Sequence, residues 1–301
     1  MKNSDENRFV DHSITLDGTQ VTANHFPSAQ YMTTDTTARI QLGDTQRAEF
    51  ISDLHLGAEH PDIAQRFKAW LGHHGKNNEN NLDVLFILGD LFEFWIGDDA
   101  AETCGYSEMV ELLERFTDAS GCTVYLMHGN RDFLIGNDFC QQTGCTLLPD
   151  PCYLEISGHT ILLSHGDAYC TDDTEHQQFR QMVHNPQWQS EFLSKSINER
   201  LAYAHEARRI SESGKSSKSM DIMDVSAAAI DDALRQHDCR IMIHGHTHRP
   251  AIHSLDVDGK PAYRVVLGAW FDESNSLEVN SYGITYLLDG LQKIEFNTLG
   301  S

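Results

Sequence analysis

The stretch 84-VLFILGDLFEFWIGDD-99 decides the fold. Its five leading apolar residues, Val84 to Leu88, read as a strand buried on both faces, the kind found in a parallel sheet. The Gly89-Asp90 that follows places a carboxylate where such a strand gives way to a loop, the usual position of a site in an α/β sheet. Alone, Asp90 reads better as a helix N-cap.

The pattern repeats on either side. Glu49 to Ser52 runs into Asp53-Leu-His55, and Thr123 to Met127 runs into Gly129-Asn130-Arg131-Asp132. Thr160 to Ser164 runs into His165-Gly-Asp167, and Arg240 to His244 into Gly245-His246-Thr-His248. Between these strands, Pro61 to His73, Ser107 to Ala119 and Val225 to His237 carry apolar residues at helical spacing and fit crossover helices, so the fold class is α/β. The runs Tyr263 to Leu267, Gly283 to Leu288 and Gln292 to Phe296, with Asp289-Gly290 as a turn, predict a closing β-meander.

A single Asp or His at a strand end is usually structural. Five strand-to-loop blocks together offer Asp53, His55, Asp90, Asn130, His165, His246 and His248, all hard oxygen or imidazole donors without a thiolate. That set is what a pair of divalent metals needs to hydrolyse a phosphate ester or anhydride. The one-residue gaps in Asp53-x-His55 and His246-x-His248 let both side chains of each pair point one way from a strand end. By the same alternation His128 and His244 point away.

Composition limits the partners. With 22 Lys and Arg against 45 Asp and Glu, the 301-residue chain carries a formal charge of -23, which excludes a duplex nucleic-acid partner held by clustered cations. No apolar run approaches the ~20 residues of a membrane-spanning helix, and no signal-peptide order opens the chain. Seven scattered cysteines without a CxxC pair read as reduced thiols of a cytoplasmic protein. Residues 1–47, polar and aperiodic, are expected to be a flexible extension ahead of a single domain over 48–301, with an ordered edge segment through Ala38 to Leu42 as the alternative.

Asp172 to Asp224 breaks the alternation. It has no convincing strand, but it carries an N-cap and first-turn proline at Asn185-Pro186 and a capping box at Ser196 to Glu199. This is a helical insert between two donor-bearing strands, expected to act as a lid. Arg200, Arg208, Arg209, Lys215 and Lys218 concentrate positive charge there, beside the apolar Leu201, Tyr203, Ile210, Met220, Ile222 and Met223.

The order D-x-H, GD, GN-x-D, H-G-D, G-H-x-H resembles the calcineurin-like metallophosphoesterases. The longer strings DLHLG, GDLFEFWIGDD, GNRDFLIG, LPDP, HGDAYCTDD, QQFR, KSMDIMDV, IHGHTHRPAIH and RVVLGAW are similar to the UDP-2,3-diacylglucosamine diphosphatase family, from about Glu49 to Phe296. The resemblance implies a four-layer αββα sandwich. It implies two manganese ions, one held by Asp53, His55, Asp90 and His248 and the other by Asp90, Asn130, His165 and His246. It also implies attack of metal-activated water on the α-phosphorus of UDP-2,3-diacylglucosamine, giving UMP and 2,3-diacylglucosamine 1-phosphate for lipid A synthesis. Asp90, Asn130, Arg131 and His165 are then the catalytic residues, and Asn130, Arg131, Asp173, Ser211, Lys215, Lys218 and His246 the substrate contacts. The insert's apolar residues would line an acyl groove in a protein resting on the cytoplasmic face of the inner membrane. Two positions depart from the family pattern: Lys215 stands where Asn is common, and His176 where Tyr is common.

Arg131 occupies a place where many members of the wider superfamily carry His. Arginine cannot release a proton near neutrality, but a phosphate leaving from an anhydride needs none, so a fixed charge suits a pyrophosphate. A phosphodiesterase or phosphatase acting on another substrate shares the metal set without needing a basic, apolar insert. A non-catalytic scaffold is expected to have lost donors that this chain keeps.

Overall fold

The computed structural model describes residues 14–16, 19–21, 38–75, 82–215, 224–288 and 290–298. It divides into two units, Met1–Thr36 and Thr37–Ser301. The first contains a two-stranded antiparallel pair, β1 (Ile14–Leu16) and β2 (Thr19–Val21), with Thr15 opposite Gln20.

In the second unit the chain runs through β3 (Arg39–Gln41), β4 (Ala48–Ile51), α1 (Pro61–His73), β5 (Val84–Leu88), α2 (Ser107–Ser120), β6 (Thr123–Met127), α3 (Asn137–Thr143) and β7 (Thr146–Leu148). It continues through β8 (Cys152–Ile156), β9 (His159–Ser164), α4 (Thr174–Val183), α5 (Pro186–Leu193), α6 (Ile197–Lys215), α7 (Ala227–Gln236) and β10 (Ile241–His244). It closes with β11 (Ala251–Val257), β12 (Lys260–Val266), β13 (Leu277–Asn280), β14 (Gly283–Leu288) and β15 (Gly290–Glu295). One sheet has the order β15-β14-β13-β4-β5-β6-β7 and the other β11-β12-β10-β9-β8-β3.

β5 shows why the layers form. All five of its side chains are buried. Val84, Phe86 and Leu88 join Phe50 of β4, Leu154 and Ile156 of β8, Ile161 and Leu163 of β9 and Ile243 of β10 in one core between the sheets. Phe50 and Phe86 stack at 4.5 Å between ring centroids. Burial of each such side chain contributes about 2 kcal/mol against exposure. Glu49 alternates to the other face of β4 and meets His74, just past α1, at 3.0 Å, so the helices lie outside that sheet. On the far side Ile230, Ala233 and Leu234 of α7 pack with Leu162 and Met242 of the second sheet. The result is the expected αββα sandwich.

Two expectations change. Arg39–Gln41, placed by sequence in the flexible extension, is an edge strand paired parallel with Tyr153–Glu155, and Leu42 N–H donates to Glu155 O at 2.9 Å. The closing strands are not one meander. β12 pairs parallel with β10 in one sheet, whereas β13, β14 and β15 form an antiparallel set in the other. The crossing between them is anchored at Gly268, whose N–H donates to Asn275 Oδ1 at 2.8 Å.

The insert signals were read correctly at the local level. Asn185 Oδ1 accepts from Gln187 N and Trp188 N at the start of α5, and Ser196 and Glu199 exchange the capping-box bonds ahead of α6. Arg200 is not the surface cation the sequence implied. It is buried, paired with Asp99 and bonded to Ile96 O, and it ties α6 to the loop after β5. Tyr203 is likewise buried, packed on Trp188 and Phe192 inside the insert. No helix among the described residues is long and apolar enough to cross a membrane.

Candidate metal centre

The carboxyl ends of β4, β5, β6, β9 and β10 deliver the five donor blocks to one place. Backbone bonds hold the blocks together beyond the strands: Asp53 N to Gly89 O at 3.1 Å, His55 N to Asp90 O at 3.0 Å and Gly245 N to His165 O at 2.8 Å. Asp53 and His55 do not sit on a strand end as expected, because β4 stops at Ile51. Instead Asp53, His55, Asp90, His246 and His248 all have positive φ, between 51° and 67°. Left-handed backbone is costly away from glycine, and such outliers persist where the surroundings over-determine them, as at functional sites.

Two glycines let the blocks close in. A Cβ on Gly129 would stand 2.1 Å from Asp90 Oδ1, and one on Gly245 would stand 1.9 Å from Ser52 Oγ and 2.4 Å from Asp53 Oδ2. No other residue fits either place.

The side chains converge in two overlapping groups, Asp53 with His55 and His248, and Asp53 with Asp90 and His165. His248 Nε2 lies 3.3 Å from Asp53 Oδ1 and 3.1 Å from His55 Nε2. Asp90 Oδ2 is 3.8 Å from both His55 Nε2 and His165 Nε2, one histidine of each group. Asn130 Oδ1 lies 3.2 Å from His165 Nε2, and the His246 ring centroid is 5.1 Å from that of His165. All seven sequence-predicted donors are thus brought together.

The residues fit cations. Asp53 Oδ1 is buried without a hydrogen-bond donor, while its Oδ2 accepts from Ser52 Oγ at 2.6 Å and His246 N at 2.9 Å. His165 Nδ1 faces Leu88 O at 2.8 Å, which makes Nδ1 the protonated nitrogen and leaves the Nε2 lone pair turned into the site. Burial opposes charge on Asp53, but His248, His165 and His55 hold its carboxyl well below the usual range. Burial likewise opposes a proton on His165, yet Asp90, Asp53 and Asp167 raise its pKa to about 9. Buried acids in this number call for positive charge, and a divalent ion supplies it where a proton otherwise must.

Several contributors escaped the sequence reading. Asp132, fully buried, accepts from Gly129 N at 2.8 Å, Leu91 N at 2.7 Å and Asp90 N at 3.3 Å, and so binds the second and third blocks together. Burial and then Asp90 push its pKa up. Asp167 is buried against Arg180 at 2.9 Å, with His176 Nε2 3.8 Å away and the His176 ring 5.4 Å from His246. Phe271, 44% exposed, stacks over His55 at the mouth and had no signal in its surroundings.

Of the expected substrate contacts, Arg131 donates its backbone N–H to Asp90 Oδ1 at 2.8 Å. Asp173 caps α4, accepting from His176 N at 3.1 Å, and Ser211 is exposed on α6. Lys215 ends α6, whereas Lys218, Met220, Ile222 and Met223 lie outside the described residues. His244, expected to point away, is buried with Nδ1 on Gly245 O, its pKa lowered to about 4 by burial and then Arg264.

The family model for calcineurin-like phosphoesterases matches residues 49–250, every donor block included. The chain belongs to the calcineurin-like phosphoesterase family. Membership makes the centre a divalent-metal site and the chain a hydrolase. A protein of Aeromonas hydrophila named UDP-2,3-diacylglucosamine hydrolase is 46% identical over 228 residues, 76% of this chain and 92% of that one. Proteins of the same name from Chromohalobacter salexigens and Stenotrophomonas maltophilia are 44% and 41% identical, over 73% and 81% of this chain and 87% and 98% of theirs. The phosphoesterase match ends at residue 250, whereas the fold continues through β11 to β15, which complete both sheets.

Proposed function

We propose that this phosphoesterase hydrolyses the pyrophosphate bond of UDP-2,3-diacylglucosamine. Water attacks the α-phosphorus, and UMP and 2,3-diacylglucosamine 1-phosphate leave, a step of lipid A biosynthesis. The observation that carries the reading is the pairing of five converging donors, Asp53, His55, Asp90, His165 and His248, flanked by Asn130 and His246, with Arg131, anchored by its own backbone to the Asp90 carboxylate. The names of the relatives agree with it.

In this reading two Mn²⁺ ions are held, one by Asp53, His55, Asp90 and His248 and the other by Asp90, Asn130, His165 and His246. Asp90 would serve both sets, as its equal 3.8 Å reach to His55 and His165 supports. Such ions, when bound, would supply an acidified water and polarise phosphoryl oxygens. His165, fixed through Nδ1, presents Nε2, and Asn130 adds a neutral oxygen that limits the site's charge. Arg131 clamps the diphosphate with charge that does not change through the reaction; the departing phosphate takes no proton from it. Asp173, Ser211, Lys215 and Lys218 contact the UDP-glucosamine part, and Asn130, Arg131 and His246 the phosphates or nearby groups. Leu193 and Ile210 on the insert and Phe271 at the mouth offer exposed apolar surface for acyl chains, in a protein that works peripherally at the cytoplasmic face of the inner membrane.

Hydrolysis in ¹⁸O-water tests the bond cleaved. Label in UMP is expected. Label in the lipid phosphate moves the attack to the other phosphorus and overturns the role given to the site.

A further inference from the structure

Glu93 lies just beyond Asp90, in the loop that the isolated bridge between Leu56 and Phe92 ties to the Asp53 block. Its two oxygens face three different parts of the site. Oε2 is 3.4 Å from His55 Nδ1, the ring nitrogen remote from the other donors. Oε1 is 3.5 Å from Arg131 NH1 and 3.3 Å from Arg208 Nε, the latter reaching in from α6 of the insert. Arg208 also pairs with Glu59 through NH2 at 2.7 Å, so it spans from the loop after β4 to the loop after β5.

We propose that Glu93 is a positioning residue that orients His55 for a metal ion through one oxygen and, through the other, holds Arg131 and the insert's Arg208 side by side at the site. The inference rests on the reading that the seven donors bind divalent ions. His55 Nδ1 is buried and makes no hydrogen bond among the described residues, with Glu93 Oε2 facing it at 3.4 Å; Nδ1–H settling on that carboxylate commits the Nε2 lone pair to the site and makes the imidazole a better donor. The two guanidinium groups would repel one another at this spacing without the charge between them. A carboxylate in this place does what neither a ligand nor a substrate contact does: it sets the geometry of both.

The half-buried Arg208 of the insert gives a control. Arg208→Gln removes one guanidinium from Glu93 and leaves the contact with His55 intact. Isothermal titration of Mn²⁺ into the chelator-stripped full chain is expected to show one ion bound about 10- to 100-fold more weakly in Glu93→Gln, as for loss of an outer carboxylate partner of a ligating histidine. Arg208→Gln is expected to bind both ions within about twofold of wild type, well inside the range expected for loss of that partner. With Mn²⁺ saturating, both variants are expected to raise KM for UDP-2,3-diacylglucosamine roughly fivefold, the scale of one lost partly exposed ion pair. If Glu93→Gln does not fold, Glu93→Asp, which keeps the charge but shortens the reach, is expected to show the same weakened ion. Wild-type Mn²⁺ affinity in the Glu93 variant overturns the proposal. Equal weakening in Arg208→Gln also overturns it, since docking of the insert would then explain the effect. The titration uses no substrate, so failure of wild type to cleave UDP-2,3-diacylglucosamine counts against the proposed reaction and not against Glu93.

Discussion

Asp90→Asn is expected to lower turnover by about three orders of magnitude or more, the scale on which a metal pair contributes to phosphoryl transfer. The substitution keeps the shape of the side chain and an acceptor for Arg131 N–H, now made at 2.8 Å, but removes the charge equidistant from His55 and His165. Metal content after gel filtration is expected to fall with activity. Stability of the metal-free protein is expected not to fall, because Asp90 stands close to the buried acids Asp53 and Asp132 and raises the pKa of the latter. Thermal melting of both proteins in chelator checks this. A variant that retains both ions and full turnover would leave Asp90 without the role given to it.

Arg131→His is expected to keep the metals and lose about 10²- to 10³-fold in kcat on the pyrophosphate substrate, the range for removal of one preorganised donor from a developing anion. Histidine is shorter, cannot make the forked contact, and offers a proton that a departing phosphate does not need. The backbone N–H of residue 131 still reaches Asp90, so metal content is expected to be unchanged. The same variant is expected to lose much less on an aryl phosphodiester, whose turnover does not depend on a diphosphate clamp. Wild-type kcat on the pyrophosphate would remove the argument that a fixed charge selects this substrate class.

The donor set was legible because each donor block follows a strand whose own signal is local: an apolar run such as Val84–Leu88, then glycine or another small residue, then Asp, His or Asn. Capping chemistry at Asn185 and Ser196 was legible for the same reason, since an N-cap is a bond within one turn. The backbone of the site was not. Asp53 and His55 were expected to point one way from a strand end, yet both are left-handed, a conformation that glycine announces in a sequence and Asp or His does not. The edge segment at Arg39–Gln41 was only the less favoured reading, because three residues carry too little pattern and only pairing with β8 makes them a strand. Arg200 read as surface charge because its partner Asp99 is 101 residues away. Asp132 and Glu93 stood inside quoted motifs without a role, for what they do depends on which loops meet around them.

The most direct test is restoration of stripped protein. Chelator-treated, full-length protein is expected to be inactive on UDP-2,3-diacylglucosamine, and activity is expected to return as Mn²⁺ is added, reaching its plateau at two equivalents per chain. Full activity in protein shown by elemental analysis to hold no metal, and unmoved by further chelator, would contradict the account at its centre.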